Sequence, residues 1–327
     1  MEKLAFVPRS GLGDQLLDTI GFLVICKIKC KTPVLEWCKN ALLYEQPWGQ
    51  ANYSIDLFKF PENVEFVDII DKSIPTFISI NTGASFNIIN LRNYLGMPAS
   101  TIIEEYNTIT RSILPGNIKF TNDISKCIGI HLRRTDKIKN KGDPIDIRHE
   151  TTLEEYSEVI IRLKECVRTM ISNSGDYYVW FFVCSEDKEY KNQFMNELIS
   201  ITKMYNKSAK FYNPIYNNLD GSEAVIDMFS LSKCHCILQG IKYSTFSIIA
   251  SIIGNNILYN FAKHDDKSLL NLWKPLIKLI NNGIFINGDI SSIEKVNNQI
   301  ANITTIGSVV ASANSFNRFL PKSFKRY

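Results

Sequence analysis

The 327-residue sequence has no apolar run that approaches the roughly 18 residues of a membrane-spanning helix. Near its start, in MEKLAFVPRSGLG, a short apolar run follows one lysine and meets a proline, so we expect a first strand there and not a signal peptide. The basic, aromatic segment FNRFLPKSFKRY is compatible with weak contact to a membrane surface, although a frayed tail is the simpler interpretation. We therefore expect no integral membrane segment.

A strong charge of either sign is also missing. The formal net charge is only +4, and no lysine- or arginine-rich block is interleaved with aromatic residues in the way that nucleic-acid-binding modules show. Hydrophobic residues make up 45% and charged residues 21% of the chain. These proportions indicate an ordinary globular protein, and we expect no nucleic acid as a partner.

Cysteine is too sparse for a disulfide scaffold. Eight cysteines in 327 residues predict free thiols in a reducing compartment, and hence a cytoplasmic protein. Cys234 and Cys236 flank His235, but a zinc site needs a second matching pair. We interpret KCHCILQG as part of a buried strand.

From about residue 123 onward, apolar strands alternate with helical segments. The strands are CIGIHLR, YYVWFFVC, CHCILQ and NILYNF, and helices are predicted from Thr152, from SEDKEY, over DGSEAVIDMFSLS and over YSTFSIIASIIG. This order predicts βαβ units and a Rossmann-like domain over residues 123–327. We expect SLLNLWKPLIKLINNG to be a helix that Pro275 breaks or kinks. Residues 1–122 alternate less cleanly and predict a second α/β domain.

The stretch CIGIHLRRTDK puts a cluster of charge at the end of an apolar strand. Alternation directs His131 and Arg133 to one face of the strand, while Arg134, Asp136 and Lys137 fall in the loop beyond it. Ligands of open parallel sheets bind outside the carboxyl ends of the strands, and guanidinium groups suit phosphate. We interpret the cluster as a ligand site; the alternative is a surface loop with a fortuitous basic cluster.

Two further turns are candidate anion sites. RSGLGDQL, which contains Gly11, Gly13 and Asp14, joins the first strand to the first helix, but it lacks both the ending of a P-loop and the third glycine of a dinucleotide fingerprint. A tight βα turn explains it equally well. Ser244 and Thr245 open a helix after a buried strand, where hydroxyls and free backbone N–H groups suit an anion. A plain N-cap is the alternative there.

Carboxylates supply the remaining candidates. Asp227 lies at the edge of the apolar arc of its predicted helix, from where it can accept bonds from a buried partner such as a purine edge; it can equally be a surface aspartate. The acids in SED follow a strand and suit ribose hydroxyls, but capping of the next helix by Ser185 explains them as well.

Taken together, these motifs resemble the α1,6-fucosyltransferase family and the wider superfamily that shares H-x-R-R. The resemblance is carried by GIHLRRTDK, by the LEEY that follows it, and by EAVIDMFSLSKCHCILQGIKYSTFSIIASIIG, whereas only GLGDQL matches in the first half. It implies a GT-B-like α/β architecture, with two Rossmann-like domains facing across a cleft. It also implies a GDP-fucose donor, a glycan acceptor and inverting transfer without a metal or other cofactor.

The resemblance further implies roles for residues that bind the donor. Arg133 and Arg134 would hold the GDP phosphates, and Ser244 and Thr245 would bind the pyrophosphate at a helix N-terminus. The nucleoside would be contacted by His131 and Asp227, and the loop of Gly11 and Gly13 would adjoin the donor.

The same resemblance places the acceptor side in the loop after the arginines. Asp136 and Lys137 would order that loop or reach the acceptor. The general base would be a carboxylate shortly after the arginine motif, for which Asp143, Asp146 and Glu150 are candidates. If that loop is not catalytic, the base would come from the N-terminal half, where Asp14 beside the glycine turn is the next candidate. A transferase for another nucleotide sugar, or an inactive nucleotide- or glycan-binding homologue, stays open as an alternative.

Overall fold

Two parallel β-sheets with flanking helices organise the chain. The computed structural model describes residues 1–8, 11–37, 53–78, 86–116, 118–134, 138–139, 151–216, 218–219, 221–262, 269–281 and 284–286. The candidate residues Asp136, Lys137, Asp143, Asp146 and Glu150, and the basic C-terminal segment, lie outside the described residues.

The first sheet has the strand order β4-β2-β1-β5, and all its neighbouring strands are parallel. The strands of this half are β1 (Lys3–Val7), β2 (Thr32–Glu36), β3 (Phe58–Lys59), β4 (Glu65–Val67), β5 (Thr76–Ile78) and β6 (Leu114–Pro115), and its helices are α1 (Leu12–Ile28), α2 (Ile88–Leu95) and α3 (Ala99–Ser112). The short strands β3 and β6 form a separate antiparallel pair. Helix α1 is buried on nearly every side, because apolar residues surround its axis.

The second sheet has the order β11-β10-β7-β12-β13-β14-β15, parallel except for its last strand. Its strands, and the short parallel pair β8 and β9, are β7 (Ile128–Leu132), β8 (Ile138–Lys139), β9 (Thr151–Thr152), β10 (Tyr178–Ser185), β11 (Ser208–Phe211), β12 (Cys236–Gly240), β13 (Ile257–Asn260), β14 (Lys278–Asn281) and β15 (Ile284–Ile286). The helices are α4 (Leu153–Asn173), α5 (Lys188–Met204), α6 (Ser222–Lys233) and α7 (Thr245–Gly254). The predicted alternation of parallel strands and helices is confirmed.

One predicted helix is wrong. The segment around Pro275 forms two short 3₁₀ turns, Leu269–Leu272 and Lys274–Leu276, and then strand β14. Proline cannot donate a backbone hydrogen bond inside a helix, and β14 gains a complete ladder beside β13 instead. In β14, Leu279 is buried and Lys278 is exposed.

A continuous hydrophobic core joins the two halves. It includes Phe6 and Leu16 from the first half, and Ile248 and Trp273 from the second. Tyr106 of α3 lies 6.2 Å from Trp273 between ring centroids, and its hydroxyl donates to the Leu17 carbonyl at 2.9 Å. A second core fills the opposite face of the larger sheet, beneath α4 and α5. The domain division between residues 122 and 123 stays a prediction.

Helix α4 begins with a threonine cap. The Thr152 hydroxyl accepts from the Glu155 N–H at 3.1 Å, and the Glu155 carboxylate accepts from the Thr152 N–H at 2.9 Å. This reciprocal capping box satisfies two backbone donors that the helix leaves without internal partners.

We predict that Thr152→Ala lowers the free energy of unfolding by about 1 kcal/mol, because one of these donors loses its partner. Ser157→Ala is the matched control in the same helix: Ser157 only donates back to the Leu153 carbonyl and is exposed, so its loss should be within about 0.5 kcal/mol. Chemical denaturation of both variants measures the difference. Equal effects would show that the capping box does not hold α4.

Candidate functional site

The strand order of each sheet defines where a crevice opens. In the larger sheet the chain runs from β7 outward to β10 and β11, and then returns to the other side of β7 as β12. In the smaller sheet it runs from β1 to β2 and β4, and then places β5 on the other side of β1. Ligands of open α/β sheets bind at such reversals, outside the carboxyl ends of the strands. His131 and Arg133 lie at the reversal beside β7, and Gly11 lies at the reversal beside β1.

The first turns of α1 and α7 meet at this place. A Cβ built on Gly13 would stand 2.5 Å from the Thr245 carbonyl carbon and from the Phe246 nitrogen. Only glycine allows so close an approach between these two backbones. The predicted glycine turn and the predicted Ser/Thr turn are therefore brought together, although Gly13 and Thr245 lie far apart in the sequence.

Ser244 and Thr245 are both buried at the start of α7, as N-cap and first helical residue. The Ser244 side chain makes no capping bond, and within the described part of the chain its hydroxyl oxygen has no hydrogen-bond partner. A plain N-cap would use that oxygen to satisfy a backbone N–H. The plain-cap interpretation therefore does not describe Ser244, and a buried hydroxyl at a helix N-terminus is suited to an anionic ligand.

His131 contacts α7 through a hydrogen bond and a ring contact. Its Nδ1 shares a hydrogen bond of 2.6 Å with the Ser247 hydroxyl, and its ring centroid lies 4.8 Å from that of Phe246. The side chain is 5% exposed, so it is part of the floor of the crevice. Ser247 and Phe246 stand in the quoted YSTFS segment, but nothing in the sequence pairs them with a histidine 116 residues earlier.

Tyr53, which the sequence interpretation missed, bonds to the start of α1 and lies close enough to Arg133 to feel its charge. The Tyr53 hydroxyl accepts a hydrogen bond from the Leu12 backbone N–H. Burial is the largest influence on the pKa of Tyr53 and raises it, and the negative charge of Asp14 raises it further. The Leu12 bond and the positive charge of Arg133 lower the pKa. Tyr53, Arg133 and Asp14 are therefore electrostatic neighbours at the crevice. Tyr53 therefore satisfies one of the first-turn N–H groups of α1 that the helix leaves without an internal partner. No sequence pattern marks Tyr53.

Arg134 points away from this cluster and against α5. Its backbone N–H donates to Glu186 at 2.6 Å, its guanidinium lies 3.8 Å from the Asp187 carboxylate, and it stacks 4.9 Å from the centroid of the Tyr190 ring. The acids after β10 thus hold the chain that leaves β7. The cap of α5 is Asp187, which accepts from Tyr190 N–H at 2.9 Å, and not Ser185, because the helix begins only at Lys188.

Asp227 lies on α6 above the end of β10, one strand from His131. It is partly buried, and one of its oxygens accepts from the Tyr216 hydroxyl at 2.9 Å. Burial raises the pKa of Asp227 to about 6, against the lowering effects of the Tyr216 bond and of Lys191. The carboxylate is therefore a poorly hydrated acceptor and not a solvated surface charge.

The segment KCHCILQG enters strand β12 at Cys236, and Cys234 is the C-cap of α6. Cys234 and Cys236 are buried, His235 between them is exposed, and burial raises the pKa of the Cys236 thiol to about 12. No group of three potential metal-ligating His, Cys, Asp or Glu side chains occurs among the described residues. Within the same residues, no helix is both long and apolar enough to cross a membrane.

The fold and the site define an α/β protein with two largely parallel sheets, in which the first turns of α1 and α7 meet. No protein-family model and no curated protein sequence matches the chain. Among solved structures, it is similar to a NodZ α1,6-fucosyltransferase soaked with GDP-fucose, at 13% identity, a TM-score of 0.42, and coverage of 77% of this chain and 92% of that one. Another NodZ structure in the comparison comes from Bradyrhizobium.

Two further similar structures are also fucosyltransferases by name. POFUT1 in complex with GDP-fucose is 12% identical, with a TM-score of 0.43 and coverage of 78% of this chain and 94% of that one. A variant of Arabidopsis thaliana FUT1 in complex with GDP is 13% identical, with a TM-score of 0.48 and coverage of 79% and 69%. These proteins are of the kind that the sequence motifs resemble. Similarity at this level leaves the activity of this chain to rest on its own residues.

We predict that Gly13→Ala lowers the free energy of unfolding by about 1–3 kcal/mol, because its methyl group would meet backbone atoms that cannot turn aside. Gly11→Ala is the control two residues away. Gly11 has φ −68° and ψ 162°, and a Cβ there meets nothing within 4 Å, so we expect a change within about 0.5 kcal/mol. Thermal and chemical unfolding of the two variants would contradict the close contact if both behaved alike.

Proposed function

We propose that the chain is an inverting glycosyltransferase that transfers L-fucose from GDP-fucose to a hydroxyl of a glycan. The observation that carries the proposal is the start of α7, where the buried Ser244 hydroxyl has no partner in the described chain. Arg133 directly follows β7, the strand that pairs with β12. The identity of the sugar and of the nucleobase rests on the resemblance of GIHLRRTDK to the fucosyltransferase motif. The acceptor glycan, a cytoplasmic location and weak membrane contact through the C-terminal segment are further parts of the proposal.

The leaving group is the step that this site suits. When the acceptor oxygen attacks the anomeric carbon, the bond from that carbon to the β-phosphate oxygen breaks, and GDP leaves with added negative charge. Preorganised N–H dipoles, hydroxyls and a guanidinium stabilise such charge without rearrangement. We assign this role to the α7 N-terminus with Ser244 and Thr245, and to Arg133, so that no metal is needed.

The guanine end of the donor needs a hydrogen-bond acceptor, whereas the phosphate end needs donors and positive charge. Guanine presents two adjacent N–H donors, and a carboxylate is the side chain that accepts both. We assign this role to Asp227, which lies at the same sheet edge as His131 but one strand farther along. Arg134 is assigned to holding the β7 exit through Asp187, and Glu186 serves the same purpose.

The acceptor proton goes to a carboxylate. Our hypothesis places it on Asp143, with Asp146 and then Glu150 in reserve, in the predicted loop that also holds Asp136 and Lys137. Asp14 is the next candidate, and its position beside Gly13 at the α7 contact supports keeping it in the set.

The test of the proposal is a nucleotide panel in excess EDTA. GDP at 100 times its Kd should stabilise the fold by about 2.7 kcal/mol in a thermal-shift measurement, and UDP, CMP and ADP should do so far less. Preference for UDP would refute guanine recognition, and loss of the GDP effect in EDTA would refute the metal-free assignment. Slow hydrolysis of GDP-fucose, measured alongside, separates an enzyme from an inactive binding homologue.

Arg133 and Arg134 form a matched pair for mutation. We predict that Arg133→Ala abolishes transfer and that Arg133→Lys restores little, because a point charge cannot reproduce the bidentate fork. Arg134→Lys should be milder, since Arg134 contacts Asp187 and Tyr190 and not the crevice. Initial rates at saturating GDP-fucose measure both. Full activity in Arg133→Ala would contradict the assignment.

The proton acceptor is identified by separating binding from transfer. We predict that Asp143→Asn leaves GDP affinity intact and lowers the transfer rate by roughly 10²–10⁴, the usual contribution of a general base. Asp146→Asn, Glu150→Gln and Asp14→Asn complete the set. Normal transfer in Asp143→Asn together with loss in one of the other three would move the role to that residue.

A further inference from the structure

Tyr216 lies in the segment between β11 and α6, close to the candidate nucleoside end of the crevice. Its side chain is 40% exposed, and its neighbour Ile215 is 67% exposed. The hydroxyl nevertheless turns inward and donates to the Asp227 carboxylate at 2.9 Å. The mechanism proposed above makes no use of this bond.

The bond matters because Asp227 is held in surroundings that oppose its charge. Burial is the largest influence on this carboxyl, and Glu223, one turn earlier on α6, adds a like charge. The β10 side offers the Cys184 thiol, whose pKa burial raises far above its ordinary value, so it stays neutral. Lys191 of α5 and the Tyr216 hydroxyl favour the ionised form. Tyr216 is the one of these two that touches the carboxylate.

The hydrogen bond from Tyr216 occupies only part of the acceptor capacity of the Asp227 carboxylate. A carboxylate has about four lone-pair sites on its two oxygens, and Tyr216 uses one of them, on a single oxygen. Tyr216 itself leaves the second oxygen and the remaining lone pair of the first to two adjacent donors of a ligand. The bond therefore fixes the orientation of the carboxylate without filling its acceptor capacity.

We infer that Tyr216 is a positioning residue that holds Asp227 as an oriented carboxylate for the N–H donors of a nucleobase. The inference rests on the proposed function, because it takes Asp227 as the residue that binds the base. The competing role is a lid, in which the tyrosine hydroxyl occupies the place of the ligand and must leave before the ligand binds.

The two roles differ in how ligand affinity depends on pH. A raised carboxyl pKa means that the acceptor form is present above pH about 6 and is lost as the pH falls through that value. Tyr216→Phe removes a bond to the charged form and moves this loss to higher pH. For a shift on the order of one pH unit, GDP binding should weaken about fivefold at pH about 6 and less than about twofold at pH about 8.5.

The experiment measures GDP affinity from pH about 5 to 9 for the full chain, for Tyr216→Phe and for the control Tyr178→Phe. Tyr178 is 51% exposed and is the first residue of β10, so it lies at the amino end of the strand whose carboxyl end is near Asp227. We expect the pH midpoint to rise only in Tyr216→Phe. An unmoved midpoint overturns the inference, and tighter binding at every pH overturns it in favour of the lid.

A second readout separates this inference from the proposed function. NMR titration of isotope-labelled aspartate carboxyls, with Asp227 assigned by its loss in Asp227→Asn, follows the carboxyl without any ligand. A higher titration midpoint in Tyr216→Phe supports the inference even if GDP does not bind, in which case the proposed function alone fails. An unchanged midpoint overturns the inference whatever GDP does.

Discussion

The contact between the first turns of α1 and α7 is the constraint on which the site depends. Gly13 lets the two backbones touch at Thr245 and Phe246, so two helix N-termini, each with a partial positive charge, share one place. Tyr53 satisfies one donor of α1, and His131 fixes α7 through Ser247. These contacts hold the starts of α1 and α7 together at the crevice, where Arg133 is an electrostatic neighbour of Tyr53.

The two arginines after β7 divide their work because side chains alternate along an extended chain. Arg133 continues the face of His131, whereas Arg134 turns to Asp187 and Tyr190. Arg134 is thus paired with α5, whereas Arg133 is an electrostatic neighbour of Tyr53 at the crevice. One strand farther along, the partly buried Asp227 supplies an acceptor. The sheet edge therefore runs from positive to negative, in the same sense as a nucleoside diphosphate runs from phosphate to base.

Local patterns in the sequence predicted local features well. The alternation of apolar runs and helical segments identified the parallel sheets, and Thr152 identified the start of α4. The helix predicted around Pro275 was wrong, because the pairing of β14 with β13 outweighs helical propensity. Tyr53 and Tyr216 escaped notice for a related reason: each acts through one hydroxyl on a residue of another element, and no periodicity records such a contact.

The polar atoms at this site also carry a thermodynamic signature. A buried hydroxyl without a partner costs about 1–3 kcal/mol, and a buried carboxylate opposes its own ionisation. Ser244 and Asp227 both lie at the crevice, on the two helices that flank the reversal beside β7. A chain selected only for stability would replace such groups with apolar side chains. Both groups lie where the strand order opens the sheet and where two helix N-termini meet, and this position supports the ligand site that we propose.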